Sequence, residues 1–265
     1  MKHLKILFVT SFLLMSNLYA QNVSITYNVT TNANDEILSL SSEYNLYING
    51  TKSAYYNNND DSKPYQDQSF IVNTNKIGEF KEVNLADNHI EYLTQDLFYK
   101  DYKENTLIYN ELIGTKKVII KENINLIDWT IHSDSKKKFL EYECIKATGT
   151  FRGREYEAYF TPELTLRGGP WKFDGLPGVI LAVNSIDGYY NIEPIEIAKN
   201  STENSDISNV YNKEKLISWD TYKSNFKKWM IKQLKKLKSK SQDGEAGSVE
   251  ITDRIEDLGI GKLSF

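Results

Sequence analysis

Three arginines, a few loop carboxylates, one thiol and two histidines carry most of the chemistry available to this chain. Arg152, Arg154 and Arg167 cluster around a Gly/Pro/aromatic stretch and could frame an anion site, because a guanidinium suits bidentate carboxylate recognition. Each could instead pair with Glu155, Glu157 or another carboxylate on a sheet face, and pairing is the expectation. Asp174 and Asp187 fall in turn-like segments and are the candidates for carboxylate-dependent hydrolysis. That chemistry needs two carboxyl groups about 5–10 Å apart in an open cleft. Cys144 and His132 would make a nucleophilic pair if strands brought them together. Their spacing is generic, and a buried thiol on a strand-like run, Phe139 to Lys146, is the expectation. Apart from His3, only His89 and His132 are present, too few for a structural zinc site beside one thiol. No phosphate loop, dinucleotide fingerprint, nucleophile elbow or metalloprotease motif occurs. No metal and no cofactor is expected, and whether the chain is an enzyme is left open, with a non-enzymatic role preferred.

The elements that must position these groups read mainly as β. Val23, Ile25, Tyr27 and Val29 alternate with polar residues, as on a half-buried strand. Tyr44, Leu46 and Ile48 do likewise, and Asn49-Gly50 suggests a type I′ turn with Ser53 to Tyr56 returning. Short strand candidates follow at Phe70–Val72, Phe80–Leu85, Ile90–Leu93, Leu97–Tyr102, Leu107–Leu112, Lys117–Lys121 and Ile127–Ile131, a meander pattern. Glu143 to Phe151 pairs across Arg152-Gly153-Arg154 with Glu155 to Thr161. Leu176-Pro177-Gly178-Val179 fits a type II turn leading into the apolar run Val179–Val183, and a hairpin extends to Ile197 with Pro194 marking a bulge or a weakened end. Gly175, Pro177 and Gly178 are therefore structural turn residues. Tyr156, Tyr159, Trp171, Phe173 and Tyr189 either line a groove or fill the core. The Asn/Asp run 57–64 reads as a solvated loop and not as a calcium site, since its spacing fits no cation loop.

After Ile197 the texture changes. Lys199 to Asn209 reads as a polar loop. Trp219, Tyr222, Phe226, Trp229, Met230, Leu234 and Leu237 recur at helical steps, and a helix over about 214–240 is expected, capped by Ser218. Eight lysines between Lys223 and Lys240 cover its other face. That face could meet a membrane surface, but solvated lysines with the apolar face on the sheet is the expectation. The segment from Gln242 to Phe265 reads as peripheral, with Ile255, Leu258, Ile260 and Leu263 available to dock.

The central stretch also resembles the GLPGLI family, through Gly-Leu-Pro-Gly-Val-Ile at 175–180. Further blocks resemble it in order: Leu46 to Ser53, Ile127-Asp128-Trp129, Cys144 with Lys146-Ala147, Phe151 to Tyr156, Ala158 to Pro162, and Gly169-Pro170-Trp171. Val179 and Tyr159 depart conservatively from the pattern. The resemblance implies an exported Gram-negative protein and brings no catalytic residues with it.

The leader agrees with export. Lys2 and Lys5 precede an apolar run from Ile6 to Met15, and Ala20 ends a small-residue finish, the layout of a signal peptide at 1–20. Cleavage there would remove 20 of 265 residues and leave 245. Losing Lys2 and Lys5 would take the net charge from −4 to −6, which argues against a nucleic-acid partner. No transmembrane segment is expected in the mature chain.

The expected architecture is mainly β (α+β): a long, curved antiparallel sheet like an open barrel or bowl, covered by a C-terminal amphipathic helix, in one domain over 21–265. The expected function is a non-catalytic ligand-binding or accessory protein of the cell envelope, in the periplasm, outer-membrane-associated or secreted. Its ligand would be a peptide, a glycan or an apolar molecule. The alternatives are an envelope partner-docking or assembly protein, and a carboxylate-dependent hydrolase. The candidate ligand-binding residues are Arg152, Arg154, Tyr156, Tyr159, Trp171 and Phe173.

Overall fold

A computed structural model describes residues 22–32, 39–57, 69–74, 80–84, 97–199, 207–240, 247–250, 255–261 and 263–264. The leader, the strand expected at Ile90–Leu93, His89, most of the Asn/Asp run and part of the loop after Lys199 lie outside them.

Alternation of apolar and polar residues sets the first strands. In β1 (Asn22–Asn32) every second side chain is buried, as the sequence spacing requires. It pairs along its whole length with β2 (Ser39–Asn49), which turns back into β3 (Lys52–Asn57). The turn differs from expectation by one residue. Asn49 pairs with Lys52, so the loop is Gly50-Thr51, and only Gly50 has positive φ (63°). That is the type II′ pattern, with glycine at the first central position.

The meander continues through β6 (Leu97–Asp101), β7 (Thr106–Ile113) and β8 (Lys116–Glu122). Residues 123–129 are irregular, and they take in the first three residues of the strand expected at Ile127–Ile131. Ile127 is apolar and buried without being in a strand, so its burial mimics a strand signal. The next strand, β9 (Thr130–Phe139), starts later and pairs with β10 (Tyr142–Phe151). β10 turns tightly through Arg152-Gly153, both at positive φ, into β11 (Arg154–Thr161). β12 (Val179–Ser185) and β13 (Tyr190–Lys199) form the expected hairpin. The register of β13 on β1 shifts between Glu196 and Pro194, so the bulge sits beside the proline.

These strands and β14 (Leu216–Ile217) make one antiparallel sheet of twelve, apart from a short parallel pairing of β14 on β8. Its order is β14-β8-β7-β6-β3-β2-β1-β13-β12-β11-β10-β9, and it is open. A separate sheet joins β4 (Ser69–Thr74), β5 (Phe80–Asn84), β15 (Gly247–Glu250) and β16 (Leu263–Ser264). The single helix among the described residues, α1 (Trp219–Lys240), packs on β7 and β8. Ser218 caps it, its hydroxyl accepting from the Thr221 N–H at 3.2 Å. Tyr222, Phe226, Met230 and Leu234 are its buried face, and Lys227, Lys228, Lys232, Lys235 and Lys236 are exposed.

The open sheet is strongly curled. β8 and β10 stand nine strands apart in the order, about 43 Å in a flat sheet at ~4.8 Å per strand. Yet Glu122, which ends β8, lies 2.5 Å from Arg152, which follows β10. Only a sheet rolled most of the way round can satisfy both. The bowl expected from sequence is therefore nearly shut on one side.

What fills it is the chain's own segment 162–178. Trp171 meets Phe98 from β6, Phe151 from β10, and Tyr190 from β13, with ring centroids 6.5, 5.8 and 5.5 Å away. Phe173 packs on Tyr156 at 4.9 Å and on Trp171 at 5.1 Å. The turn ending this plug is not type II. Gly178 has no positive φ, and its N–H donates to the Leu176 carbonyl at 2.9 Å, a three-residue turn centred on Pro177. Glycine is required at 178 for space: a Cβ there would lie 2.3 Å from the Thr161 carbonyl oxygen. Gly178→Ala should therefore cost about 1–3 kcal/mol or more in a denaturant melt, because backbone has to move.

Candidate functional site

The plug is held by two buried ionic clusters. In the first, the Lys100 ammonium donates to the Gly169 carbonyl (2.9 Å), the Phe173 carbonyl (2.8 Å) and Asp174 Oδ2 (2.9 Å). Burial pushes the Lys100 pKa down, against the pull of Asp174. Asp174 Oδ2 also accepts from the Tyr102 hydroxyl at 3.1 Å, and Oδ1 accepts from the Gly175 N–H at 2.8 Å. Trp129 donates its indole N–H to the Asp174 carbonyl at 2.7 Å, which ties residues 123–129 to the plug.

In the second cluster, Lys172 is fully buried and reaches Glu256 Oε2 at 2.5 Å and Glu111 Oε1 at 3.1 Å. Arg152 bonds both Glu122 and Glu256 and stacks on Trp219 at 3.5 Å. Tyr109 donates to Glu122 at 2.5 Å. Burial would raise the Glu256 pKa, but Lys172 and Arg152 outweigh it and hold it below the ordinary value. The C-terminal segment is thus not peripheral. It delivers a carboxylate to the centre of the fold, and Leu258 and Ile260 bury beside it.

The candidate residues now have places. Arg152 is a structural cation of the second cluster. Arg154 pairs with Asp187 at 2.8 Å and lies over the Tyr189 ring, so the expected pairing holds here too, with a carboxylate other than Glu155 or Glu157. Tyr156, Trp171 and Phe173 are buried and pack on one another or on the sheet's inner face. Tyr159 is half-buried on β11, against Phe139 and Glu157. Asp174 and Asp187 belong to separate networks, with Lys100 and Tyr102 on one and Arg154 on the other. Cys144 is buried, while His132 is exposed and bonds the Thr148 hydroxyl at 2.8 Å. They do not form a pair. Burial pushes the Cys144 thiol up to about 12. Its reaction with a disulfide reagent near pH 8 should be roughly a thousandfold slower than that of the unfolded chain, from ionisation alone. Equal rates in a stopped assay would contradict this placement.

One cleft opens where the plug meets the surface. It holds about 250 Å3 and is lined by Tyr102, Asn105, Ile124, Asn125, Arg167 and residues 174–177. Arg167 is exposed, with its guanidinium 5.8 Å from the Tyr102 ring. Among the described residues no carboxylate lies within ion-pair distance of it. Asn105 is exposed at positive φ (48°), and its side-chain oxygen accepts from the Ile124 N–H. Sequence reasoning singled out Arg167 and Asp174 but missed Tyr102, Asn105 and Asn125, which lie in a turn or in irregular chain with no chemical motif. Among the described residues no group of three or more His, Cys, Asp or Glu is placed to hold a metal.

No family model matches the chain, and no curated protein matches it. Among solved structures it is similar to PNGF-II in two crystal forms, C2 and P21, at 16% identity and a TM-score of 0.49. Each match covers 79% of this chain and 33% or 34% of the other, so the chain spans about a third of the structures it resembles. Among the described residues no helix is long and apolar enough to cross a membrane.

Proposed function

We propose that this is an exported, GLPGLI-type protein of the cell envelope that binds a small ligand without transforming it. The ligand sits in the cleft at the mouth of the plug. One observation carries this reading: the ionic groups of the interior are engaged in holding the plug, whereas no carboxylate among the described residues pairs with Arg167 in the cleft. The interior of the curled sheet is filled by Trp171 and Phe173, so a large apolar molecule has no room there. Asp174 faces the cleft region but spends its oxygens on Lys100, Tyr102 and Gly175, which favours positioning over acid–base work. The leader-like residues 1–20 and the motif at 175–180 support export and the family assignment.

The test is retention of a ligand from an envelope extract, read by mass spectrometry after release. The wild-type chain should retain a small molecule and give it back unchanged, and Asn125→Trp, which fills the cleft, should not. Recovery of a chemically altered molecule would point to catalysis. Equal retention by Asn125→Trp would move the site elsewhere.

A further inference from the structure

Resting on that reading, we infer that the ligand is a small hydroxylated monocarboxylate of sugar-acid type, such as a hexuronate. The cleft's charge balance sets the ligand's charge. Asp174 is neutralised by Lys100 at 2.9 Å, so the pair adds nothing net. Among the described residues no carboxylate pairs with Arg167, so one positive charge is left for one negative charge to complement. A guanidinium presents parallel N–H groups that match the two oxygens of a carboxylate.

The rest of the wall specifies what is attached to the carboxylate. Asn105 and Asn125 stand on the same cleft, and both are exposed. Carboxamides donate and accept at once, which suits hydroxyl groups. The Asn105 oxygen is engaged by the Ile124 N–H at 3.3 Å, so that side chain offers donors. Leu176, Pro177 and Ile124 give an apolar wall against which C–H groups of a ring can lie. A volume of about 250 Å3 falls below the ~300–1,000 Å3 of sites for drug-sized molecules, which fits one sugar-sized unit. The Tyr102 hydroxyl is held by Asp174 and Ser53, both at 3.1 Å, so its ring is a fixed side of the site.

Calorimetric titration of the mature wild-type chain with galacturonate, galactose and acetate tests this, with Arg167→Gln and Asn125→Ala as variants. Both substituted residues are exposed, and equal melting temperatures would show that the variants are folded. Galacturonate should bind at least tenfold more tightly than galactose, which lacks the charge, and than acetate, which lacks the hydroxyls. Arg167→Gln should erase the preference over galactose, and Asn125→Ala the preference over acetate. Galactose binding as tightly as galacturonate, with loss on Asn125→Ala, would overturn the ligand class and leave the cleft as the site. No heat from galacturonate at millimolar concentration would overturn the ligand class, while retention of an extract ligand by the wild type and not by Asn125→Trp would still support the cleft.

Discussion

Lys172→Met should cost the fold about 3–5 kcal/mol near neutral pH, the range for removing one partner of a buried ion pair. Lys172 has no exposed side-chain surface, and both of its carboxylate partners lie within 3.1 Å. Methionine fills similar volume, so the loss would be electrostatic and not a cavity effect. With Lys172 gone, Glu256, Glu111 and Glu122 would face a single cation, Arg152. The loss should also depend on pH in a defined direction. In the wild type the Glu256 pKa is held below its ordinary value of 4.5. Its contribution is therefore complete above 4.5 and is lost as pH falls through the lowered folded value. In Lys172→Met only Arg152 is left to oppose burial at Glu256, so that carboxyl should move upward and the folded variant should take up a proton more readily than the folded wild type. Urea melts should show the gap between variant and wild type narrowing from neutral pH to about pH 5. A gap that stays constant would mean that Glu256 is not the group Lys172 compensates. Lys172→Met/Glu256→Gln should recover part of the loss, because the two positions are in contact and their effects are not additive.

Trp171→Ala should cost a further-reaching 3–5 kcal/mol, roughly the range for deleting a buried indole. Among the described residues Trp171 is the ring that touches β6, β10 and β13 together, through Phe98, Phe151 and Tyr190. Deleting it leaves a void bordered by three separated parts of the sheet, which cannot all move inward. The residue also holds positive φ, at 49°, which bulky L-residues tolerate poorly. Alanine would keep that strain and lose the contacts that sustain it. Trp219→Ala, at a half-buried ring on the helix, should cost clearly less. The two variants compared by midpoint of denaturation decide the matter. Equal losses would show that the plug is no more central than the helix cover.

Much of the local structure was legible because it depends on nearest neighbours. Strict alternation in Val23, Ile25, Tyr27 and Val29 gave a strand whose buried face matches residue for residue. Pro194 marked a register shift, and Ser218 marked a helix start. Turn type was less legible. Gly50 takes the first central position of its turn and not the second, because pairing on β1 sets which residues remain for the loop. Gly178 is needed for space against Thr161, a contact seventeen residues away in sequence that no local pattern encodes. The two ionic clusters were illegible for the same reason in a stronger form. Glu256 meets Arg152 across 104 residues and Lys172 across 84. Its surroundings are polar in composition, so the tail reads as surface. The candidate site was legible only through Arg167 and Asp174. Its other walls come from turns after β6 and β8, which share the cleft because the sheet curls.

That curl decides where function can lie. An open bowl would offer its concave face to a ligand, whereas a rolled sheet filled by residues 162–178 offers only the mouth. The direct measurement is a distance between spin labels on β8 and β10, at Lys121→Cys and Thr150→Cys, both exposed positions. Cys144, buried with its thiol pushed up, stays unlabelled. A distance far below the ~43 Å of a flat sheet is the expected result. A distribution centred near that flat-sheet value would contradict the rolled sheet, the plug, and the cleft that depends on both.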